Sequence, residues 1–400
     1  MKNGYLSQYF VGVVAKKLSA VEVNLVTSNQ HEFNGIASMK SLFGKERQQF
    51  PTKFIYLSDE NEPITDIGYL TWYDARESHP NRSEYRLFFP TTTVSRAAVA
   101  DDMLFIGLRP DHTALVIITE AQSTIGAQLH WLFGVEADGS FAVAFDLERD
   151  RDKLEYASKC ILEQLGIEIE EQAPNFLDDM IARFGGGFPT TSEFSCYARS
   201  TLYDTDANND PDLVLMSWLD REEVLFRTLE KHLIQKQLDT GFNDVDAFIS
   251  YSLSVQNRRK SRIGQALENH AEVLFESRGI QYDRTKVTEN RSKPDFIFPG
   301  ISEYRDPTFC ASQLIMLGAK STCKDRWRQV LVEADRIEHK HLLTLEAAIS
   351  EHQTDEMMSK KLQLVVPRAI HRSYTSSQQS WLLDLDTFIK MLLYKQGASI

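Results

Sequence analysis

Four cysteines in 400 residues, Cys160, Cys196, Cys310 and Cys323, lie scattered with no Cys-x-x-Cys pair. Their spacing excludes a zinc knuckle and a disulfide framework, which leaves free thiols in a reducing compartment as the expectation. No apolar run approaches the roughly 18 residues of a membrane span. The opening Met1-Lys2-Asn3-Gly4-Tyr5 lacks a signal peptide's apolar stretch. A cytoplasmic protein with no membrane partner is therefore expected. Internal repeats and low-complexity segments are missing too, which excludes a solenoid. Positive charge is in short supply: 44 Lys and Arg against 57 Asp and Glu give a net charge of −13. Spread evenly, that balance argues against a nucleic-acid partner.

It is not spread evenly. Between Arg258 and Lys340 there are 16 basic and 12 acidic residues. The basic ones cluster at Arg258-Arg259-Lys260-Ser261-Arg262 and Lys324-Asp325-Arg326-Trp327-Arg328. Composition alone reads these as solvated faces, so their placement decides. The remaining composition, 42% hydrophobic and 25% charged, is that of an ordinary globular chain long enough for two or three domains.

Up to about residue 170 the pattern predicts short strands broken by turns. The runs are Gly12-Val13-Val14-Ala15, Lys53–Leu57, Met103–Leu108 and Ala114–Ile118, with a closing helix through Leu154, Ala157, Ile161 and Leu165. Phe184-Gly185-Gly186-Gly187-Phe188-Pro189 reads as a hinge, because three glycines accept almost any backbone angle and proline blocks a helix. It has neither the preceding strand nor the Gly-Lys-Ser/Thr of a phosphate loop. The rest alternates: helices over residues 219–237 and 261–278, strands at 295–298, 314–320 and 362–366, and a helix over 325–338.

Two of these strands carry charged residues where apolar ones are expected. Lys293-Pro294-Asp295-Phe296 puts a carboxylate at the head of one, and Lys320 closes an otherwise apolar run in the next. A lysine ending a buried strand needs a reason. Hydrolysis of a phosphodiester supplies one: it needs a hard cation on oxygen ligands, and a lysine beside the attacking water. Nucleases of this arrangement commonly place a second acid two residues before the lysine, but that residue is Gly318. On the expected 325–338 helix the apolar stripe is Trp327, Val330, Leu331, Ala334 and Ile337. Glu333 lies off it, on the side of Arg326, and offers the missing acid. Glu268, off the Ile263, Leu267, Ala271 and Leu274 stripe of its own helix, is an outer candidate. Basic residues at the start of that helix have the wrong sign for its dipole, an imbalance that a bound phosphate offsets. Each element alone also has a plain reading, since Pro-Asp is a common turn and a helix Glu is usually solvated.

From Ser254 through Arg262, Lys293-Pro294-Asp295-Phe296, Glu303-Tyr304-Arg305-Asp306, Lys320–Gln329 and Glu333-Ala334-Asp335, the chain resembles the EcoRII family of restriction endonucleases. The resemblance covers about residues 188–385. It implies an α/β restriction-endonuclease-like domain, a PD-(D/E)XK variant with a central mixed sheet. Asp295 and Glu333 would be the Mg2+ ligands, Asp295, Lys320 and Glu333 the catalytic set, and Tyr304 its edge. Lys324, Asp325 and Arg326 would read bases, as donors to guanine and an acceptor from cytosine suit a CC…GG-framed site. Arg305 stands where the family carries histidine. Lys16-Lys17-Leu18-Ser19, the loop around His31 and Asn81–Arg86 resemble the family's regulatory domain. That domain is a mostly-β pseudobarrel that binds a second copy of the site and blocks the nuclease cleft.

Residues 1–170 would be this effector domain, 171–190 a linker and 191–400 the nuclease. Arg258, Arg259, Arg262, His31, Arg82 and Arg86 are the further DNA-binding candidates. Arg82 and Arg86 share one face if both lie on a strand. Double-stranded DNA at two site copies, a second copy of the chain in a homodimer, and a separate cytosine methyltransferase are the expected partners. His339 and His341 diverge on a helix, and Trp327 packs in a core; neither is expected to be functional. A methylation-directed or repair nuclease, or a DNA-binding regulator with a decayed nuclease, stays open as an alternative.

Overall fold

The computed structural model describes residues 5–23, 31–79, 81–135, 141–144, 156–167, 169, 173–323 and 326–397. The chain divides into two compact units, Met1–Ile169 with Ala348–Gln353, and Glu170–Ala347 with Thr354–Ile400. No helix among the described residues is long and apolar enough to cross a membrane.

The first unit is β-rich. Its strands are β1 (Gly12–Lys17), β2 (Glu32–Asn34), β3 (Gln48–Leu57), β4 (Ile64–Asp74), β5 (Tyr85–Phe88), β6 (Met103–Leu108), β7 (Ala114–Thr119) and β8 (Phe141–Ala144). They form one sheet in the order β2-β5-β4-β3-β7-β6-β1-β8. All recorded pairs are antiparallel except β3 with β7, where Thr52 faces Ala114 and Leu57 faces Thr119. The four apolar runs anticipated from sequence lie in β1, β3, β6 and β7. The unanticipated long strand β4 has no continuous apolar run, and only Leu70 and Trp72 of its eleven residues are buried. Every residue of β6 and β7 is buried, as fits strands covered on both faces. Phe54, Trp72, Leu87, Leu104 and Val116 belong to the main core. Phe10 and Phe105 meet Phe133 of the helix Thr124–Phe133.

In the second unit, two long helices form a hairpin. Pro211–Thr240 opens on Asp210, whose carboxylate accepts from the Asp212 and Leu213 amides, with proline at the first helical position. Val245–Glu276 opens on Asp244, which accepts from the Ala247 amide at 2.7 Å. This start lies 13 residues before Arg258, which corrects the expected dipole clash: Arg258–Arg262 are mid-helix. They are also largely spent on the protein itself. Arg262 is 5% exposed and paired with Glu222, at 3.2 Å, and with Glu223. Arg259 meets Glu230 at 2.6 Å, and the Arg258 guanidinium stacks 3.9 Å from the Phe188 ring centroid. Arg262 is therefore corrected from a DNA contact to a buried interhelical cation.

The glycine-rich stretch also changes meaning. Gly185 caps the helix Leu177–Phe184 in the left-handed region, φ 68°, and Thr190 with Glu193 forms a capping box for Thr191–Ser200. Met180, in the stretch expected as linker, is fully buried and clusters with Phe194, Tyr197 and Phe226. These residues are a helix–helix joint inside the second unit.

Against this hairpin stands a five-stranded mixed sheet: β9 (Asp283–Arg284), β10 (Phe296–Phe298), β11 (Ile315–Lys320), β12 (Lys340–Thr344) and β13 (Leu362–Val365), in the order β13-β12-β11-β10-β9. β10 is antiparallel to β9 and β11, while β11, β12 and β13 run parallel. The expected 325–338 helix is cut short, and β12 follows it from Lys340. The helix present is only Arg326–Leu331, and Ala334 takes a positive φ of 50°. Trp327, Val330, Ala334 and Ile337 are buried nonetheless, so a helix and the turn after it share one apolar stripe. His341 sits on β12 and is buried, not on a helix beside His339.

Because Arg262 is the cation paired with the fully buried Glu222, replacing it takes a charge partner from a buried carboxylate. Arg262→Met is expected to lose roughly 3–5 kcal/mol of stability in urea denaturation. An unchanged midpoint would show the arginine to be dispensable to the hairpin.

Candidate active site

The ends of β10 and β11 bring two of the sequence candidates into contact. The β10–β11 ladder runs from Phe298↔Ile315 to Phe296↔Leu317. Just beyond it the Asp295 carboxylate takes over: Oδ2 accepts from the Ala319 amide at 2.7 Å and from Lys320 Nζ at 2.7 Å. A side chain thus completes the strand pairing, which fixes the carboxylate on the sheet while leaving it 9% exposed. Charge-assisted bonds of this length are the strong ones.

Glycine at 318 has a direct physical cause. It shares a strand face with Lys320. A Cβ there would stand 2.9 Å from Val330 Cγ2 and 3.3 Å from Cγ1. The helix Arg326–Leu331 lays Val330 where a strand-borne acid would project. The acid arrives three residues later, at Glu333, from the turn that follows the helix. This corrects the expected route: Glu333 is not on a helix and its direction is not set by helical spacing from Arg326.

Electrostatics tie Glu333 to the pair. Burial, then the Asp295 charge, push its carboxyl up from 4.5 to about 7, against the pull of Lys320 and Lys340. Among the described residues its buried Oε2 has no hydrogen-bond partner, a costly state for an ionised oxygen. Glu268, on the helix Val245–Glu276, behaves likewise: burial and Asp295 raise it, while Arg284 and Lys320 lower it. Arg284 Nη2 donates to Glu268 Oε2 at 2.9 Å. Three carboxylates therefore interact around one ammonium. Sequence reasoning missed Arg284, because a two-residue strand has no periodicity to read. It also missed Lys340, buried at the start of β12 with Nζ donating to the Ile337 carbonyl at 2.9 Å.

Other candidates stand elsewhere. The Tyr304 hydroxyl donates to Glu289 Oε2 at 2.5 Å and accepts from the Arg336 amide at 3.3 Å, so its recorded bonds do not reach the carboxylate group. Lys324 and Asp325 lie outside the described residues. Arg326 is exposed, with its amide donating to the Cys323 carbonyl at 2.7 Å. In the first unit, Arg86 on β5 is paired with Glu32 at 2.7 Å and Glu84 at 2.6 Å. Exposed Arg82 precedes the strand, so the expected shared face is absent and neither stands as a free pair of phosphate contacts. His31 has φ 45° and lies edge-on to Phe89, with Nε2 3.4 Å from Thr91 Oγ1.

Residues 226–389 match the family model described as EcoRII C terminal. Glu268, Asp295, Lys320 and Glu333 all fall inside that stretch. The chain is 41% identical over 209 residues to the type II restriction enzyme EcoRII of Escherichia coli, a match covering 51% of this chain and 50% of the relative. It thus spans about half the length of that relative. Among solved structures, metal-depleted Ecl18kI in complex with uncleaved, modified DNA is similar with a TM-score of 0.45 and 20% identity, covering 57% of this chain and 85% of that one. A restriction endonuclease PspGI–substrate DNA complex is similar at 0.44 and 16%, covering 52% and 94%.

The raised Glu333 carboxyl has a stability consequence. Its folded-state value near 7 lies above the ordinary 4.5, so between them the folded protein binds more protons than the unfolded chain. This group's contribution is then most favourable below about 4.5 and declines as pH rises through 7. Metal-free protein is expected to lose thermal stability between pH 5 and 8 by more than Glu333→Gln does. Parallel melting curves for the two would remove Glu333 from the charge cluster.

Proposed function

We propose that this chain is a type II restriction endonuclease of the IIE kind, hydrolysing phosphodiester bonds of double-stranded DNA at a CC…GG-framed site. One observation carries the reading: the Asp295–Lys320 pair, with the unpaired Glu333 oxygen in its field, sits in a stretch that matches the EcoRII C terminal. The second unit is read as a PD-(D/E)XK variant domain, and the first as an effector-binding pseudobarrel that restrains it.

The residues fit Mg2+, although among the described residues no group of three or more His, Cys, Asp or Glu is arranged to hold a metal. Mg2+ usually takes only one or two carboxylates and fills its shell with water and phosphate. Asp295 and Glu333 would hold it, and a cation would offset both the burial and the Asp295 charge that raise Glu333. When bound, it supplies polarisation of the phosphate and acidification of water. Lys320 holds a positive charge and mobile protons at Nζ beside Asp295. Glu268 adds negative field from the helix side.

Two-fold sites call for two-fold proteins, and a homodimer is part of the proposal. On the helix Val245–Glu276, Val245, Phe248, Ile249 and Leu253 are large apolar residues between 47% and 70% exposed. Val245 and Leu253 stand four residues either side of Ile249, so the three share one helix face, and a two-fold contact would use the same patch on both copies. A cytosine methyltransferase on a separate chain would protect the same site.

Purified protein with Mg2+ is expected to cut plasmid DNA at discrete positions, and sequencing the ends fixes site and stagger. Asp295→Ala and Glu333→Ala should each lose more than about 100-fold in rate, since outer partners of metal sites alone account for roughly 10–100-fold. Undiminished cutting by either variant refutes the assignment. Cutting only of cytosine-methylated plasmid would instead identify a methylation-directed enzyme.

A further inference from the structure

Asp295 stands at the head of a strand and Glu268 on a helix, and the segment Arg284-Thr285 bonds to both residues. On β9, Arg284 stands opposite Phe296 in register. Its guanidinium lies 5.8 Å from the Phe296 ring centroid. Its neighbour Thr285 donates its amide to the Asp295 carbonyl at 3.1 Å. From there Arg284 crosses to one face of the helix Val245–Glu276. Nη2 donates to Glu268 Oε2 at 2.9 Å, and Nη1 to Asn269 Oδ1 at 3.1 Å and Glu272 Oε2 at 2.6 Å. The Asn269 amide is itself oriented, because Nδ2 donates to Ser195 Oγ at 3.3 Å.

We infer that Arg284 is a positioning residue for the reaction: it fixes the Glu268 carboxylate relative to Asp295 and Lys320. The chemistry requires arginine. Two nitrogens of one rigid plane serve two different carboxylates at once, while a lysine ammonium is a single point of charge. Without the clamp, Glu268 faces Asp295 across a repulsion and swings away from it. The inference rests on the nuclease reading above, and its test separates the two.

The full-length parent, Arg284→Lys, Arg284→Met, Glu268→Gln and the Arg284→Met/Glu268→Gln double variant are compared in single-turnover cleavage with Mg2+, and in metal-free urea denaturation. Arg284→Met should lower the cleavage rate about 10–100-fold with DNA affinity within about twofold, and Arg284→Lys should recover part of the rate. In the Glu268→Gln background the arginine should no longer matter for rate, and the metal-free denaturation midpoints should be non-additive. Arg284→Met cutting at the parental rate, or the two losses multiplying, overturns the inference. Additive midpoints in metal-free protein overturn it independently of any cleavage. A parent that cuts no DNA overturns the nuclease reading instead.

Discussion

Burial of Glu333 and Glu268 beside the Asp295 charge, only partly balanced by Lys320, is the constraint on which the candidate site depends. Like charges close together in a half-buried setting cannot all ionise at ordinary cost. The fold spends specific contacts to tolerate them: the Ala319 amide and Lys320 on Asp295, Arg284 on Glu268. Glu333 receives no such contact on Oε2, and its carboxyl is the one pushed to about 7. Under the proposed function, a bound cation would relieve this arrangement.

The scaffold explains how such a site is held. Antiparallel pairing of β10 with β11 delivers Asp295 and Lys320 to one end of the sheet from neighbouring strands. The helix Arg326–Leu331 packs Val330 over Gly318, which closes the strand route for the second acid and leaves the following turn as its source. Farther back, Glu222 and Arg262 form a buried pair between the two long helices, 3.2 Å apart. They anchor the helix that presents Glu268. Positioning is thus shared between a sheet end, a turn and a helix, each held by different physics.

Asp295 and Lys320 were legible in the sequence because each interrupts an apolar strand, and a charge at such a place has few cheap explanations. Glu333 was legible as a residue but not as a geometry. Trp327, Val330, Ala334 and Ile337 keep a 3–4 spacing whether the last two lie on a helix or on a turn. Periodicity cannot report the positive φ at Ala334 that separates these outcomes. The basic run Arg258–Arg262 misled for a related reason. A cluster of cations in sequence says nothing about the acids opposite, and Glu222, Glu223 and Glu230 come from another helix. Strand β4 interleaves apolar residues with Thr, Asp and Gly, and β12 opens on Lys340-His341; both were invisible to a search for apolar runs. The coarse division into a β-rich unit and a mixed α/β unit survives these errors because it rests on many buried positions, whereas the site rests on a few.

The central claim is that Glu333 titrates in the field of Asp295. Carbon-13 NMR of labelled glutamate carboxyls in metal-free protein measures this without relying on catalysis. The account predicts that Glu333 titrates near 7 and moves down toward the ordinary glutamate range in Asp295→Asn, while remaining somewhat raised by burial. A Glu333 carboxyl that titrates near 4.5 in the parent, or is indifferent to Asp295→Asn, contradicts it.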